Sequence, residues 1–255
     1  MNLDYELFFL GLRRKRYKKC VYYLRQALSS LLIKEYRTAM ETFFTLLVAI
    51  PPLLVAVILH EVAHGYIAER LGDPTARALG RITLNPLVHI DWFMTIILPG
   101  LLIFAGSPVV FGGAKPVPVN PLYFKNPRRG MVWVALAGPA INIIIACICY
   151  LALKIIFSIN PPQAISIPTL GIIGIGWLTY SVVINLVLAL FNLVPVPPLD
   201  GGRIAVGLLP VKAARMLARL EPFGLFIVFA LLYSGAINAY LSPVIEFTLK
   251  HLSKL

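Results

Sequence analysis

Two histidines and a glutamate stand together in the sequence at a spacing that suits metal-assisted hydrolysis. His60 and His64 are four residues apart, and Glu61 follows the first histidine directly. On a helix, side chains at i and i+4 share one face, so both imidazoles can reach one metal ion with the carboxylate beside them. The chemistry that this spacing indicates is zinc-assisted hydrolysis.

The same three residues lie at the end of a long apolar run. The stretch from Phe43 to Leu59 contains no charged residue. An ionisable group at bilayer depth is costly, and it marks a functional site by default. Histidines that merely make hydrogen bonds in a core remain the alternative, and a third ligand would decide between the two.

The composition is typical of an integral membrane protein. Of the 255 residues, 59% are hydrophobic and only 13% are charged. The hydrophobic share is above that of a usual soluble protein, and the charged share is below it. Five apolar stretches are long enough, at about 20 residues each, to enter or cross the hydrocarbon. They are Phe43–Ala68, Trp92–Phe111, Met131–Ile159, Leu170–Leu199 and Phe223–Leu241. We therefore expect an all-α bundle that spans the membrane several times, with a kink or break near Ile50 in the first stretch, before Pro51-Pro52.

The net charge of +12 has a simple explanation in a membrane protein. Lysines and arginines in loops face anionic lipid, so we expect the lipid bilayer as a partner and no nucleic acid. Residues 1–41 are basic and amphipathic, and they predict a segment that lies in the membrane interface, followed by a membrane domain over residues 42–255. A solvated basic tail is the alternative for the first segment.

A third metal ligand is available at Asp200. The prolines between Asn192 and Asp200 end a helix, and the two glycines that follow allow a tight backbone that presents the carboxylate inward. Asp200 as the N-cap of the next helix is the alternative. His89 could be a fourth ligand, but a loop histidine more often has a structural role. A short extended piece is expected around Arg81–Leu84.

Three motifs in one order resemble the site-2 protease family of intramembrane zinc metalloproteases. They are His60-Glu61-Val62-Ala63-His64, Gly138-Pro139-Ala140-Ile141-Asn142 and Asn192 through Gly202. The resemblance covers about residues 53–204 and is to the compact branch without PDZ or CBS domains. It implies that His60, His64 and Asp200 bind one zinc ion and that Glu61 is the general base. It also implies that Asn142 helps to hold the substrate or the developing oxyanion, although an intramembrane asparagine can equally join helices.

The metal site constrains the topology. The C-terminal ends of the first and fourth stretches and the start of the third must meet on one side, which requires an even number of crossings between the first and the third. Either Trp92–Phe111 is re-entrant or the proline-rich run Gly112–Pro121 returns through the interior. We favour the return strand, a short membrane-embedded extended or β segment near the active site, because an unwound substrate could pair with it by strand addition.

These observations predict a protease that cuts a peptide bond in or near a transmembrane segment of another membrane protein. Release of a regulatory fragment is implied by the resemblance alone. A metal- or ion-translocating protein is the alternative, but it has no need for Glu61 and would be expected to show duplicated halves. Basic residues on the expected active-site side and none in Asn160–Pro168 predict a site toward the cytoplasm, although the basic N-terminus conflicts with this orientation.

Overall fold

A computed structural model describes residues 43–107, 111–159 and 169–255. The expected interfacial segment at residues 1–41 lies outside this part of the chain. The chain divides into two units, Met1–Leu47 and Val48–Leu255. Apart from the first residues of helix α1, all helices and contacts described below belong to the second unit. The described helices are α1 Phe43–Arg70, α2 Thr75–Ala78, α3 Leu98–Phe104, α4 Pro127–Ile159, α5 Thr169–Asn192, α6 Asp200–Leu208, α7 Val211–Ala218, α8 Gly224–Tyr233 and α9 Ala236–Leu252.

Four helical segments of the described chain are long and apolar enough to cross a membrane. They are Phe43–Arg70, Pro127–Ile159, Ile173–Asn192 and Val211–Tyr233. This confirms the expected all-α membrane architecture. The first stretch does not break near Ile50, because α1 continues through Pro51 and Pro52; a kink there stays a prediction. Proline is tolerated in membrane helices, where neighbouring groups satisfy the freed carbonyls.

Helix α4 has two faces of different character. Val134, Gly138, Asn142 and Ala146 are buried and follow one another at intervals of four residues, so they form one stripe along the helix. Large apolar side chains on the rest of its surface are exposed, among them those of Ile148, Leu151 and Ile155. The buried stripe is the face that α4 turns toward the histidines of α1, and α4 also packs on α5 and α6.

The second apolar stretch is shorter than predicted. A π-helical segment, Trp92–Ile97, continues into α3 and ends at Phe104 rather than Phe111. At 1.5 Å per residue this is about 20 Å, less than the hydrocarbon thickness of about 30 Å. The Gly113 N–H donates to Met94 O at 3.0 Å. Gly113 therefore lies beside the start of the helical segment, which is compatible with the re-entrant alternative.

No β-strand occurs in residues 43–107, 111–159 and 169–255. The extended piece expected at Arg81–Leu84 is not seen as a strand: the loop bends at Ile82 and Thr83 and is held by isolated contacts such as Arg81 N–H to Ala76 O at 2.9 Å. The run from Phe111 to Asn120 has no regular secondary structure, so the expected β segment is not seen as a strand.

The last predicted stretch, Phe223–Leu241, is interrupted. Helix α8 ends at Tyr233, and Gly235 has a φ of +77° before α9 begins at Ala236. That left-handed conformation favours glycine, since a Cβ would be strained there. The membrane-length segment instead starts earlier, at Val211, and includes α7, a short 3-10 turn at Glu221–Phe223 and α8. Hydrophobicity alone does not reveal such a shift, because α9 is also apolar.

Candidate metal centre

Helix α1 holds both histidines in the interior. His60 and His64 are 7% and 8% exposed, and their ring centroids are 4.6 Å apart with the planes nearly perpendicular. The i, i+4 spacing puts them on one face, as expected. Both Nε2 atoms approach the same carboxylate oxygen.

That oxygen belongs to Asp200, the first residue of α6. Its Oδ2 lies 3.1 Å from His60 Nε2 and 3.3 Å from His64 Nε2. Helix α6 begins after Leu199 without a side-chain cap, so the N-cap alternative for Asp200 is wrong. Gly201 packs against the backbone of Leu193 with no room for a Cβ, and this close approach sets the position of the carboxylate.

His60, His64 and Asp200 form a group whose ligand atoms lie within 4.8 Å of one another. His64 Nδ1 is 2.7 Å from Val134 O. A backbone carbonyl can only accept, so Nδ1 carries the proton and Nε2 presents a lone pair when the ring is neutral. Asp200 Oδ2 is buried and has no hydrogen-bond donor. Three acceptors that converge without a donor repel each other unless a cation lies among them, and two imidazoles with one carboxylate are a donor set that zinc favours.

Gly138 of α4 faces this group directly. A methyl group at Gly138 would lie 2.5 Å from His60 Cε1 and 2.5 Å from His64 Nε2. The absence of a side chain is therefore what leaves room beside the two nitrogens.

Glu61 lies beside the group of His60, His64 and Asp200 and is hydrogen-bonded to the proline-rich run. Its Oε2 accepts a hydrogen bond of 2.8 Å from the Val117 N–H, so one carboxylate oxygen is anchored. A cavity of about 410 Å³ opens here. Its lining includes His60, Glu61, His64, Val117, Asn192 and Asp200.

The run that supplies Val117 is fixed along its length. Lys115 N–H donates to His89 O at 2.8 Å, and the Arg81 guanidinium donates to Lys115 O at 2.7 Å. At its far end, Asn120 N–H donates to Asp73 Oδ2 at 2.6 Å. These contacts hold the run beside Glu61 without a strand partner.

The two remaining predicted candidates take different places. His89 is outside the ligand group and its Nε2 is 2.9 Å from Thr83 O, so it has a structural contact. Asn142 is fully buried, and its Oδ1 is 2.6 Å from His60 Nδ1. Its amide nitrogen contacts Asn185 Oδ1 at 2.7 Å. Sequence reasoning missed Asn185; its one signal is a polar residue inside the apolar α5.

A buried group of two histidines and an aspartate, with a glutamate beside it in a membrane-spanning helical chain, defines a metallopeptidase type of centre. The sequence model of peptidase family M50 matches residues 48–175 and 168–235. The chain belongs to this family, that of the site-2 proteases, and is a peptidase.

Relatives extend over most of the chain. YwhC of Bacillus subtilis is 40% identical over 189 residues, which cover 74% of this chain and 80% of the relative. Rip2 of Mycolicibacterium smegmatis is 34% identical, covering 73% and 67%. MJ0392 of Methanocaldococcus jannaschii is 29% identical and covers 63% of this chain and 34% of its own. All three names contain the words zinc metalloprotease. No solved structure matches the chain.

Proposed function

We propose that the chain is an intramembrane zinc endopeptidase that hydrolyses a peptide bond in or near a transmembrane segment of another membrane protein. The observation that carries this proposal is the convergence of His60, His64 and Asp200 beside Glu61. The names of the relatives support zinc as the metal. A translocation function has no comparable support, since the matching family is one of peptidases.

His60 and His64 through Nε2, and Asp200 through its carboxylate, would hold one zinc ion. With three protein ligands, zinc leaves a position for water, lowers the pKa of that water toward about 7 and polarises the scissile carbonyl. The hydrogen bonds at Nδ1 of His60 and His64 keep the Nε2 lone pairs of both rings aimed at the place that the zinc ion would take.

Glu61 would act as the general base. Its anchored Oε2 fixes the carboxylate, and the other oxygen is left to take a proton from water as the water oxygen bonds to the scissile carbonyl carbon. The same proton then passes to the leaving nitrogen as the carbon–nitrogen bond breaks, which yields a carboxylic acid and an amine.

Asn142 was expected to hold the substrate or the oxyanion. For this, its amide nitrogen would have to leave Ala56 O at 3.2 Å and Asn185 Oδ1 at 2.7 Å. The proposal that Asn142 contacts substrate therefore requires these two contacts to open when the substrate binds.

The proline-rich run is the proposed docking place for an extended substrate segment. The N–H groups of Gly113, Lys115 and Val117 are already used. Pro116 and Pro118 lack an N–H, so strand addition would rely mainly on carbonyls of the run that accept from substrate N–H groups. A second cavity of about 700 Å³ shares Pro116, Val117, Val119 and Arg203 with the first, so the two cavities lie on either side of the run.

The remaining parts of the proposal come from the sequence. Residues 42–255 would form the protease domain, residues 1–41 would lie in the membrane interface, and the site would face the cytoplasm. Cleavage would release a regulatory fragment of the substrate.

Glu61→Gln tests the central proposal. Membranes that contain the wild-type chain should lack, or show shortened, one or more membrane proteins that stay full-length with Glu61→Gln. Both purified chains should hold about one zinc per chain, because three ligands are unchanged. Glu246→Gln, an exposed change on α9, should behave as wild type.

Identical membrane proteomes for the two chains, together with zinc flux into proteoliposomes, would overturn the proposal in favour of transport. Loss of activity on treatment with a chelator, and its return with added zinc, would identify the metal.

A further inference from the structure

A chain of hydrogen bonds runs from α5 to one of the metal-ligating histidines. The Asn185 amide nitrogen is 2.8 Å from Ser181 O, Asn185 Oδ1 is 2.7 Å from the Asn142 amide nitrogen, and Asn142 Oδ1 is 2.6 Å from His60 Nδ1. Asn142 and Asn185 are 0% and 1% exposed. No titratable group takes part before His60.

The direction of every bond in this chain follows from its ends. Ser181 O and Ala56 O are backbone carbonyls, which can only accept. Asn185 must therefore direct its NH2 to Ser181 O and its oxygen to Asn142, and Asn142 must direct its NH2 to Asn185 and to Ala56 O. The amide orientations are thus set by chemistry rather than chosen freely. Only the oxygen of Asn142 remains to face His60.

We infer that Asn185 is a positioning residue of the metal centre, which fixes the Nδ1–H tautomer of His60 through Asn142. An oxygen acceptor at Nδ1 requires the proton to be there, and Nε2 then faces Asp200 with its lone pair. This inference deepens the proposed function and rests on its metal site. It also gives Asn142 a role that needs no contact with substrate.

The second histidine supplies a contrast within the same site. His64 Nδ1 is held by Val134 O, a backbone group that no side-chain substitution removes. Loss of Asn185 should therefore affect His60 and leave the tautomer of His64 unchanged. A general loosening of the bundle would affect both.

Asn185→Leu keeps a side chain of similar size and removes its polar atoms. The matched control is Thr179→Val on the same helix: the Thr179 hydroxyl also donates to the carbonyl four residues earlier, Ile175 O at 2.9 Å. Nothing in the chain of bonds to His60 involves Thr179. Asn185→Ser is the second variant if Asn185→Leu does not fold, because serine can still bond to Ser181 O but cannot reach Asn142.

The first measurement is ring-15N NMR of the metal-free protein at a pH high enough to keep the rings neutral; its four histidines give few signals. Wild type and Thr179→Val should show His60 as the Nδ1–H tautomer, and Asn185→Leu should show a mixture with Nε2–H. The second measurement is zinc affinity by chelator competition, which should fall about tenfold for Asn185→Leu and up to about 100-fold for Asn142→Leu, the range for groups that orient a ligand. Adding Asn185→Leu to Asn142→Leu should cause no further loss.

A different pattern would overturn the inference. If Asn185 only joins helices, Asn185→Leu will lower the thermal stability but leave the His60 tautomer and the zinc affinity at their wild-type values. Failure of the wild-type chain to bind zinc would instead overturn the proposed function, and the tautomer of metal-free His60 would still test the role of Asn185.

Discussion

The backbone N–H of Val117 donates a 2.8 Å hydrogen bond to Oε2 of Glu61. A residue of the irregular run after the re-entrant segment thereby touches the expected general base. The position of that carboxylate depends on how firmly the run is held, because only one of its oxygens is anchored. Two buried side chains hold the run, Arg81 near its middle and Asp73 at its end.

Replacement of Arg81 should impair turnover without removing the metal. Arg81 is 7% exposed and donates to Lys115 O at 2.7 Å and Pro116 O at 3.3 Å. Arg81→Met removes these bonds beside Val117, and a misplacement of about 1 Å in a site can reduce the rate about 100-fold. We expect a fall in kcat of about 10- to 100-fold, measured by cleavage of a membrane substrate, with an unchanged zinc content.

Arg77→Met is the control for this change. Arg77 forms an exposed ion pair with Glu69, with Nε 2.7 Å from Oε1, and such pairs contribute little to stability because solvent screens them. Equal effects of the two substitutions on kcat would contradict a specific role of Arg81.

A side chain at Gly138 should prevent metal binding. In Gly138→Ala the new methyl group would overlap His60 and His64, so the rings must move apart or the helices must separate. The zinc content should fall from about one per chain to well below half, as measured by elemental analysis of the purified protein. Gly174→Ala, on α5 where a Cβ meets nothing within 4 Å, should keep full zinc content. A full complement of zinc in Gly138→Ala would contradict the role of this glycine in leaving room for the metal.

Asp73 should stabilise the end of the run in a pH-dependent way. Burial acts to raise the pKa of this carboxyl, but donation from the Thr75 hydroxyl and from the N–H groups of Asn120 and Thr75 holds the pKa below its ordinary value of 3.8. A carboxyl whose pKa is lowered by folding contributes stability above its unfolded pKa and loses that contribution as the pH falls. Asp73→Asn places an NH2 against one of these donors and should cost about 1–3 kcal/mol at pH 7.

The measurement for Asp73 is thermal unfolding in detergent between about pH 3 and pH 8. The difference between wild type and Asp73→Asn should be constant above about pH 5 and should shrink below about pH 4. Glu246→Gln should show no such difference, and a gap between wild type and Asp73→Asn that persists at the acid end of this range would argue against the charge of Asp73 as its source.

The orientation of the site can be read by cysteine labelling. With Cys20, Cys147 and Cys149 replaced by alanine, single cysteines at the exposed Arg129 and at Gln163 should react from opposite sides of the membrane, because Arg129 is in the first turn of α4 and Gln163 follows the last residue of α4 in the sequence. An impermeant reagent should label position 129 only from the cytoplasmic side if the arginine and lysine distribution sets the orientation. Labelling of position 129 from the outer side would reverse the proposed orientation.

The residues that converge in the candidate metal centre could be predicted from sequence because their signals are local. His60 and His64 follow from helical periodicity, and Asp200 follows from the prolines and glycines around it. The contact between Val117 and Glu61 could not be predicted, since a backbone N–H has no residue-specific signal. In the sequence, Asn185 is only one polar residue in an apolar helix. Its hydrogen bond to Asn142 depends on how α4 packs on α5, which the sequence does not show. The prediction overestimates the length of the second apolar helix, because hydrophobicity measures the length of an apolar stretch and does not show where a helix ends.

The distribution of the ligands over α1 and α6 has a consequence for biosynthesis. While the ribosome is still making the chain, His60 and His64 enter the membrane long before Asp200 has been translated, and Asn142 and Asn185 arrive in between. A nascent chain therefore has two ligands and no complete centre until α4, α5 and the start of α6 have assembled. The enzyme should consequently be unable to cut its neighbours at the translocon until the start of α6 has joined α1, α4 and α5.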